Sequence, residues 1–206
     1  MDLVVGLVYE HQFYVNFAQN VPAGGTLSLS TGWYESGSEL QVNAVASPGW
    51  QFEGWEGVGT DSLSSSSATF SLTVGPAEAA NETAVFYSGV TIDATGPVSV
   101  SYNDGIVSGS VPSGARAEVF VPPSSAMSLT ASGFAFLSTF SGWSGASNSS
   151  STSTSFVVEG PVTVSAGSQY DYLSIVILVV VISLVAVVTA LGLRRRQRRV
   201  AVHYTS

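Results

Sequence analysis

The sequence of 206 residues has no cysteine, no lysine and only two histidines, His11 and His203. Small extracellular domains often rely on disulfides, so without cysteine the cores of this chain have to be closed by aromatic packing. A chain this poor in histidine and cysteine offers neither a zinc site nor a Ser-His-Asp triad. The sequence therefore predicts a protein that is not an enzyme and that holds no cofactor.

Basic residues are also scarce outside the C-terminal end. Residues 1–172 carry fourteen Asp and Glu residues against Arg116 alone, a formal charge of −13. A surface of that charge repels nucleic acid, and we expect no nucleic-acid partner. Acid pairs such as Glu53 and Glu56 could in principle serve glycoside chemistry or bind calcium. They lack a dense ligand spacing, so we interpret them as solvated surface charges and predict no metal.

One long apolar run interrupts this polar composition. Residues 173–193 are 21 positions without a charged side chain. At ~1.5 Å of rise per residue such a helix is about 31 Å long, which matches a hydrocarbon core of about 30 Å. We predict that residues 171–193 form a transmembrane helix with its outer flank, and that residues 194–206 form a basic cytoplasmic tail.

The flanks of this run predict its orientation in the cell membrane. Positive residues collect on the cytoplasmic side, so the N-terminus should lie outside and the C-terminus in the cytoplasm. The arginines could alternatively bind nucleic acid or form a localisation signal, but their contact with the apolar run favours stop-transfer and lipid contact. The residues predicted to lie at the membrane interface are Tyr170, Tyr172, Arg194, Arg195, Arg196, Arg198 and Arg199.

Residues 1–10 form a predicted N-terminal extension. They include a short apolar stretch but no basic n-region, and this is not typical of a signal peptide. An exported N-terminus needs such a signal. We therefore expect the chain to be the C-terminal portion of a longer surface protein, or its start codon to be misassigned.

The acidic segment contains the same phrase twice. Phe-Glu-Gly-Trp-Glu-Gly stands at residues 52–57 and Phe-Ser-Gly-Trp-Ser-Gly at residues 140–145, 88 positions apart. Each phrase is followed by a Ser/Thr-rich stretch and then by a Gly-Pro pair, at 75–76 and 160–161, and these pairs are 85 positions apart. The segment is therefore a diverged repeat that contains insertions or deletions.

At these residues the sequence resembles the divergent internalin B-type repeat of bacterial and archaeal surface proteins. The first copy is the closer match, with Thr-Gly-Trp-Tyr at 31–34 and Pro-Gly-Trp-Gln-Phe-Glu-Gly-Trp at 48–55. The second copy departs from it, because an insertion separates Gly133 and Phe134 from the phrase that begins at Phe140. The resemblance implies display or spacing at the cell surface and implies no catalytic residues.

Hydrophobic alternation predicts strands throughout both copies. Residues 39–46 alternate apolar and polar side chains, as a half-buried strand does. The predicted fold is mainly β, with two small tandem β-repeat domains at residues 11–88 and 89–170 followed by one transmembrane α-helix. Whether each unit is sandwich-like or β-grasp-like, with a short helix, stays open. The predicted strands are 13–17, 39–46, 69–74, 82–87, 98–102, 106–110, 117–121, 126–131, 134–140, 155–158 and 161–166.

Four tryptophans invite a glycan-binding hypothesis, because sugars stack on exposed indole faces. The competing role is core packing, which is favoured for Trp55 and Trp143 since they recur at the matching repeat position. Trp33 and Trp50 are the candidates for exposed aromatic contacts.

Two sequons, which begin at Asn81 and Asn148, lie in loop-like surroundings and are candidates for N-glycosylation.

These features predict a non-enzymatic, single-pass cell-surface protein that displays or spaces tandem β-repeats outside the membrane, in adhesion or envelope association. Membrane lipid is an expected partner, with envelope glycan or surface proteins as further candidates. Two alternatives remain open. The chain could be the membrane-proximal stalk of a larger surface enzyme such as a protease, or it could be a glycan-binding surface module.

Overall fold

A computed structural model describes residues 9–59, 62–75, 80–133 and 138–202, with only the backbone for residues 195–202. Within these residues the chain forms fourteen strands and one α-helix, which confirms the mainly β prediction. The strands up to the middle of the fold are β1 (Gln12–Gln19), β2 (Gly25–Leu27), β3 (Gly32–Glu35), β4 (Glu39–Ala46), β5 (Trp50–Val58), β6 (Thr69–Thr73) and β7 (Ala80–Thr95). The remaining elements are β8 (Ser99–Asn103), β9 (Ser108–Val111), β10 (Arg116–Val121), β11 (Ala126–Ser132), β12 (Ser138–Gly145), β13 (Ser153–Val157), β14 (Val162–Tyr170) and α1 (Tyr172–Val202).

The strands form where apolar and hydroxyl residues alternate. In β11, Met127 and Leu129 are buried while Ser128 and Thr130 face solvent. Because successive side chains of a strand point to opposite faces, this pattern buries one face and hydrates the other. The predicted strand at 134–140 lies partly outside the described residues, and its described part belongs to β12.

The long strand β7 runs through both halves of the fold. Its sixteen residues span roughly 53 Å at ~3.3 Å per residue. The first half pairs with β1 in parallel and with β5 in antiparallel orientation. The second half pairs with β14 in parallel and with β10 in antiparallel orientation. The predicted domain boundary between residues 88 and 89 therefore falls inside a continuous strand that both units share.

The two units repeat one pairing scheme. The first unit has the order β5-β7-β1-β3, and the second has the order β12-β14-β7-β10. The parallel pair of each unit is flanked by antiparallel strands. A bulge interrupts the register between Phe52 and Gly54 in the first unit and between Phe140 and Gly142 in the second. The sequence phrase thus marks a structural repeat.

Each unit is a two-layer β structure with its own core. The small sheet β2-β4-β6 covers the first half of the large sheet, and the sheet β13-β11-β8-β9 covers the second half. Trp55 and Trp143 lie in the two cores, and each ring packs at a steep angle against the phenylalanine three residues before it. Each indole N–H donates to a backbone carbonyl, that of Ala68 or Ser151. Among the described residues before α1 there is one short 3₁₀ turn, Pro22–Gly24, and no α-helix.

The turn between β4 and β5 packs against the second unit. Gly49 accepts a hydrogen bond from the backbone N–H of Gly89 at 2.8 Å. A Cβ placed on Gly49 would lie 2.7 Å from the Pro161 side chain, so the two segments are in close contact. Both the shared strand and this turn therefore tie the units together.

Candidate functional site

The sheet leads into the helix with one residue between them. β14 ends at Tyr170, Asp171 follows, and α1 begins at Tyr172. The Asp171 carboxylate accepts hydrogen bonds from the N–H groups of Leu173 and Ser174, at 3.1 and 3.2 Å, and from the Ser174 hydroxyl. These hydrogen bonds, with the Ser174 hydroxyl first, lower the pKa of Asp171 below its ordinary value. Asp171 is the N-cap of α1.

Sequence analysis missed this cap, although a signal for it was present. An aspartate directly before an apolar run is a typical helix start. The sequence prediction assigns residue 171 only to the outer flank of the helix.

The helix is long and apolar enough to cross a membrane. The candidate span is Tyr172–Arg194, with 23 residues, a mean hydropathy of 3.1 and no part buried inside the protein. The two polar side chains in the middle of the span, Ser183 and Thr189, are satisfied within the helix because they donate to carbonyls one turn earlier. An apolar helix without a protein partner is stable only in an apolar medium, so α1 is a candidate membrane anchor.

The predicted interface residues stand at the ends of this span. Tyr170 and Tyr172 are 48% and 74% exposed next to its beginning. Arg194 is its last residue. The side chains of the other four arginines, Arg195, Arg196, Arg198 and Arg199, lie outside the described part of the chain, as does His203. Contact of these residues with lipid remains a prediction.

The tryptophans divide into three buried rings and one exposed ring. Trp50, Trp55 and Trp143 are 9%, 2% and 5% exposed, whereas Trp33 is 65% exposed. The prediction of an exposed contact was therefore wrong for Trp50. This ring belongs to the first core and reaches Gly160, where an added Cβ would lie 3.9 Å from the indole. The ring therefore lies where the first unit meets the second.

Trp33 forms an aromatic pair with Tyr14 on the outer face of the large sheet. The two residues lie directly opposite each other on β3 and β1. Their ring centroids are 5.3 Å apart with an interplanar angle of 67°, an edge-to-face arrangement. Tyr14 is 41% exposed. β3 is the last strand in the order of the large sheet, so the pair lies at an edge of the sheet.

Polar groups surround this aromatic pair. Alternation along the strands places Gln12 and Asn16 on the face of Tyr14, and Glu35 on the face of Trp33. Next to Glu35 the surface forms an open groove of about 440 Å³, lined by Glu10, His11, Phe13, Glu35 and Ser36. The exposed rings thus share their face with the amides of Gln12 and Asn16 and with the Glu35 carboxylate, and Glu35 also lines the groove.

The two sequons lie in different surroundings. Asn148 is exposed in the loop between β12 and β13, as expected. Asn81 instead lies within β7, between β1 and β5, and its side-chain amide donates to the carbonyl of Val58. The expectation of loop-like surroundings was wrong for Asn81, because the strand begins one residue before it.

One carboxyl group is buried in the first unit. Glu82 has no exposed surface, and its Oε1 accepts a hydrogen bond from the backbone N–H of Leu63 at 2.9 Å. Its Oε2 has no hydrogen-bond partner among the described residues. Burial raises the pKa of Glu82, and the hydrogen bonds from Leu63 and Ser62 offset part of that rise. The sequence gives no sign of this burial, because Glu82 is there the middle residue of a sequon and the first residue of the predicted strand 82–87.

Comparison with known proteins supports the assignment made from the repeat. Residues 16–90 match the family described as the divergent InlB B-repeat domain. No curated protein matches the chain. The matched segment contains the strands of the first unit from within β1 to within β7. Together with the apolar helix, it is consistent with a surface protein. Residues 16–90 are therefore similar to the divergent InlB B-repeat domain, and the C-terminal apolar helix is a candidate membrane anchor.

Proposed function

We propose that this protein is a non-enzymatic, single-pass cell-surface protein whose two β-units act as one stiff spacer outside the membrane. The observation that carries this proposal is the continuous strand β7, which belongs to both units. Units joined by a flexible linker would rotate independently, whereas a shared strand fixes one unit to the other through backbone hydrogen bonds.

The connection to the helix supports the same function. Only Asp171 separates β14 from α1, and its carboxylate holds the first helical turn. A one-residue connection leaves little freedom of orientation between sheet and anchor. The spacer would therefore hold whatever it displays at a defined position relative to the membrane.

The orientation rests on charge and on the interfacial residues. The ectodomain carries fourteen acidic residues, and five arginines follow the apolar run. The positive-inside rule places these arginines in the cytoplasm, in contact with anionic lipid. Tyr170 and Tyr172 would lie at the outer interface. Adhesion or envelope association, through glycan or surface proteins, is the role that such a spacer would serve.

The absence of cysteine allows a direct test of this topology. Ser128→Cys, on the exposed face of β11, and Ser206→Cys, at the C-terminus, each introduce a single thiol. In intact cells a membrane-impermeant maleimide should label the Ser128→Cys variant and should label the Ser206→Cys variant only after lysis. Labelling of the tail variant in intact cells would refute the orientation. The unsubstituted chain is the matched control, since it has no thiol to react.

A further inference from the structure

The exposed pair Tyr14 and Trp33 has a covered counterpart in the second unit. In the parallel pair of the first unit Val15 lies opposite Ala80, and in that of the second unit Val90 lies opposite Val162, so Val15 and Val90 are equivalent. On the neighbouring antiparallel strand Gly32 lies opposite Val15, and Val119 lies opposite Val90. Position for position, Tyr14 thus corresponds to Gly89, and Trp33 corresponds to Phe120.

At the counterpart position the β4–β5 turn of the first unit covers the sheet. Gly89 is buried there, and a Cβ on it would lie 2.8 Å from the carbonyl oxygen of Gly49. The backbone of the turn can approach the sheet this closely only because Gly89 has no side chain, whereas the equivalent residue of the first unit is Tyr14. A further β-unit could not pack on the first unit in the way that the first packs on the second. The exposed face of Tyr14 and Trp33 is therefore not a packing surface for another repeat of the same geometry.

The surroundings of the pair do not suit an apolar protein partner either. Such a partner needs a contiguous apolar patch. Tyr14 and Trp33 are instead bordered on the same face by Gln12, Asn16 and Glu35. Flat ring surface next to amide and carboxylate groups suits a ligand with apolar C–H faces and many polar substituents, which is the chemistry of a sugar ring.

The negative charge around the aromatic pair indicates which sugars could bind there. Glu35 shares the face of Trp33, and the groove that Glu35 lines also holds Glu10 and His11. The only Lys or Arg among residues 1–172 is Arg116, which is on β10 in the second unit. Anionic glycans would be repelled, and a ligand with positive charge would be attracted. We propose that Tyr14 and Trp33, with Glu35 at the groove, form a binding site for an oligosaccharide of amino sugars. This proposal does not depend on the membrane topology.

Trp33 is itself the reporter for a test. The other three tryptophans are buried, so acrylamide quenching of indole fluorescence reports mainly on Trp33. In the full-length protein in nanodiscs, a glucosamine hexamer should protect the fluorescence from quenching in a saturable manner. By calorimetry, Trp33→Ala should weaken binding at least about tenfold, because the stacking surface is lost. Trp33→Phe should retain part of the affinity, and Glu35→Gln should weaken binding of the charged hexamer.

Two controls separate the parts of the proposal. Ile106→Ala removes an exposed apolar side chain in the second unit and should leave binding unchanged. The N-acetylated hexamer, which is neutral, should bind more weakly than the free amine. Equal binding of both hexamers would overturn the assignment to amino sugars. Unchanged affinity in Trp33→Ala, or no protection by either hexamer, would overturn the site itself.

Discussion

Glu82 and Val164 occupy the same position in the two units. Glu82 lies opposite Gly57 on β5, and Val164 lies opposite Gly145 on β12, which is the equivalent strand. Both side chains are fully buried. The second unit thus shows that this fold is stable with an aliphatic side chain where the first unit buries a carboxyl group.

This relationship predicts an unusual dependence of stability on pH. Because burial raises the pKa of Glu82 above its ordinary value of 4.5, the folded state favours the protonated acid. The contribution of Glu82 to stability should be complete below pH 4.5 and should be lost as the pH rises through the raised pKa. Glu82→Gln should remove this loss and stabilise the first unit at pH 7 by about 1 kcal/mol or more.

Urea unfolding of the protein between pH 4 and pH 8 measures this effect. Glu82→Gln keeps an acceptor for the Leu63 N–H, while Glu82→Val copies the second unit and leaves that N–H without its partner. The glutamine variant should therefore gain more stability than the valine variant. Identical pH profiles for the glutamine variant and the parent protein would show that Glu82 is ionised at no cost in the folded state.

A second prediction concerns the junction between the units. Gly89→Ala would place a Cβ 2.8 Å from the Gly49 carbonyl oxygen and 2.9 Å from Glu118, so backbone would have to shift. We expect a loss of about 1–3 kcal/mol in unfolding free energy. Gly32→Ala is the matched control, because its Cβ would meet only the Tyr34 ring at 3.9 Å. That variant should be neutral or slightly stabilised, and equal losses in both variants would contradict the close contact at Gly89.

A third prediction concerns the Asp171 cap. Asp171→Ala should increase hydrogen exchange in the first turn of α1, because the N–H groups of Leu173 and Ser174 lose their acceptor. Asp171→Asn keeps an acceptor oxygen and should exchange more slowly than the alanine variant. Since the pKa of Asp171 is lowered from 3.8, its capping should persist at pH 4 and be lost only as the pH falls further. An NMR titration of the Ser174 amide with its midpoint above 3.8 would contradict this.

A fourth prediction separates the two sequons. In a host that attaches N-glycans, Asn148→Gln should lower the mass of the purified protein by one glycan, because Asn148 is exposed in a loop. Asn81→Gln should leave the mass unchanged apart from the substitution, since Asn81 lies inside β7 and donates to Val58. A glycan lost with Asn81 and kept with Asn148 would reverse this assignment.

The local features of the fold could be predicted from the sequence. Alternation in segments such as β4 and β11, and the apolar run of α1, are signals that neighbouring residues create together. The repeated phrase around Trp55 and Trp143 predicted two equivalent cores, and both rings are buried.

The pairing of distant strands and the contacts between the units could not be predicted from such local patterns. β7 looks like the end of one unit and the start of the next, and only its pairing with β1, β5, β10 and β14 shows that it serves both. The buried ring of Trp50 lies close to Gly160, which belongs to the other unit. The exposure of Trp33 likewise follows from where β3 lies in the sheet, and strand order is a non-local property.

The stiffness of the two-unit spacer is tested most directly by a distance measurement between the units. Spin labels at Ser71→Cys on β6 and Ser128→Cys on β11 occupy exposed positions, one in each unit. The pair Gln51→Cys and Ser71→Cys within the first unit provides the reference width. If β7 couples the units, the distance distribution between units should be a single peak as narrow as the reference. A broad or multi-peaked distribution between the units, with a narrow reference, would contradict the account.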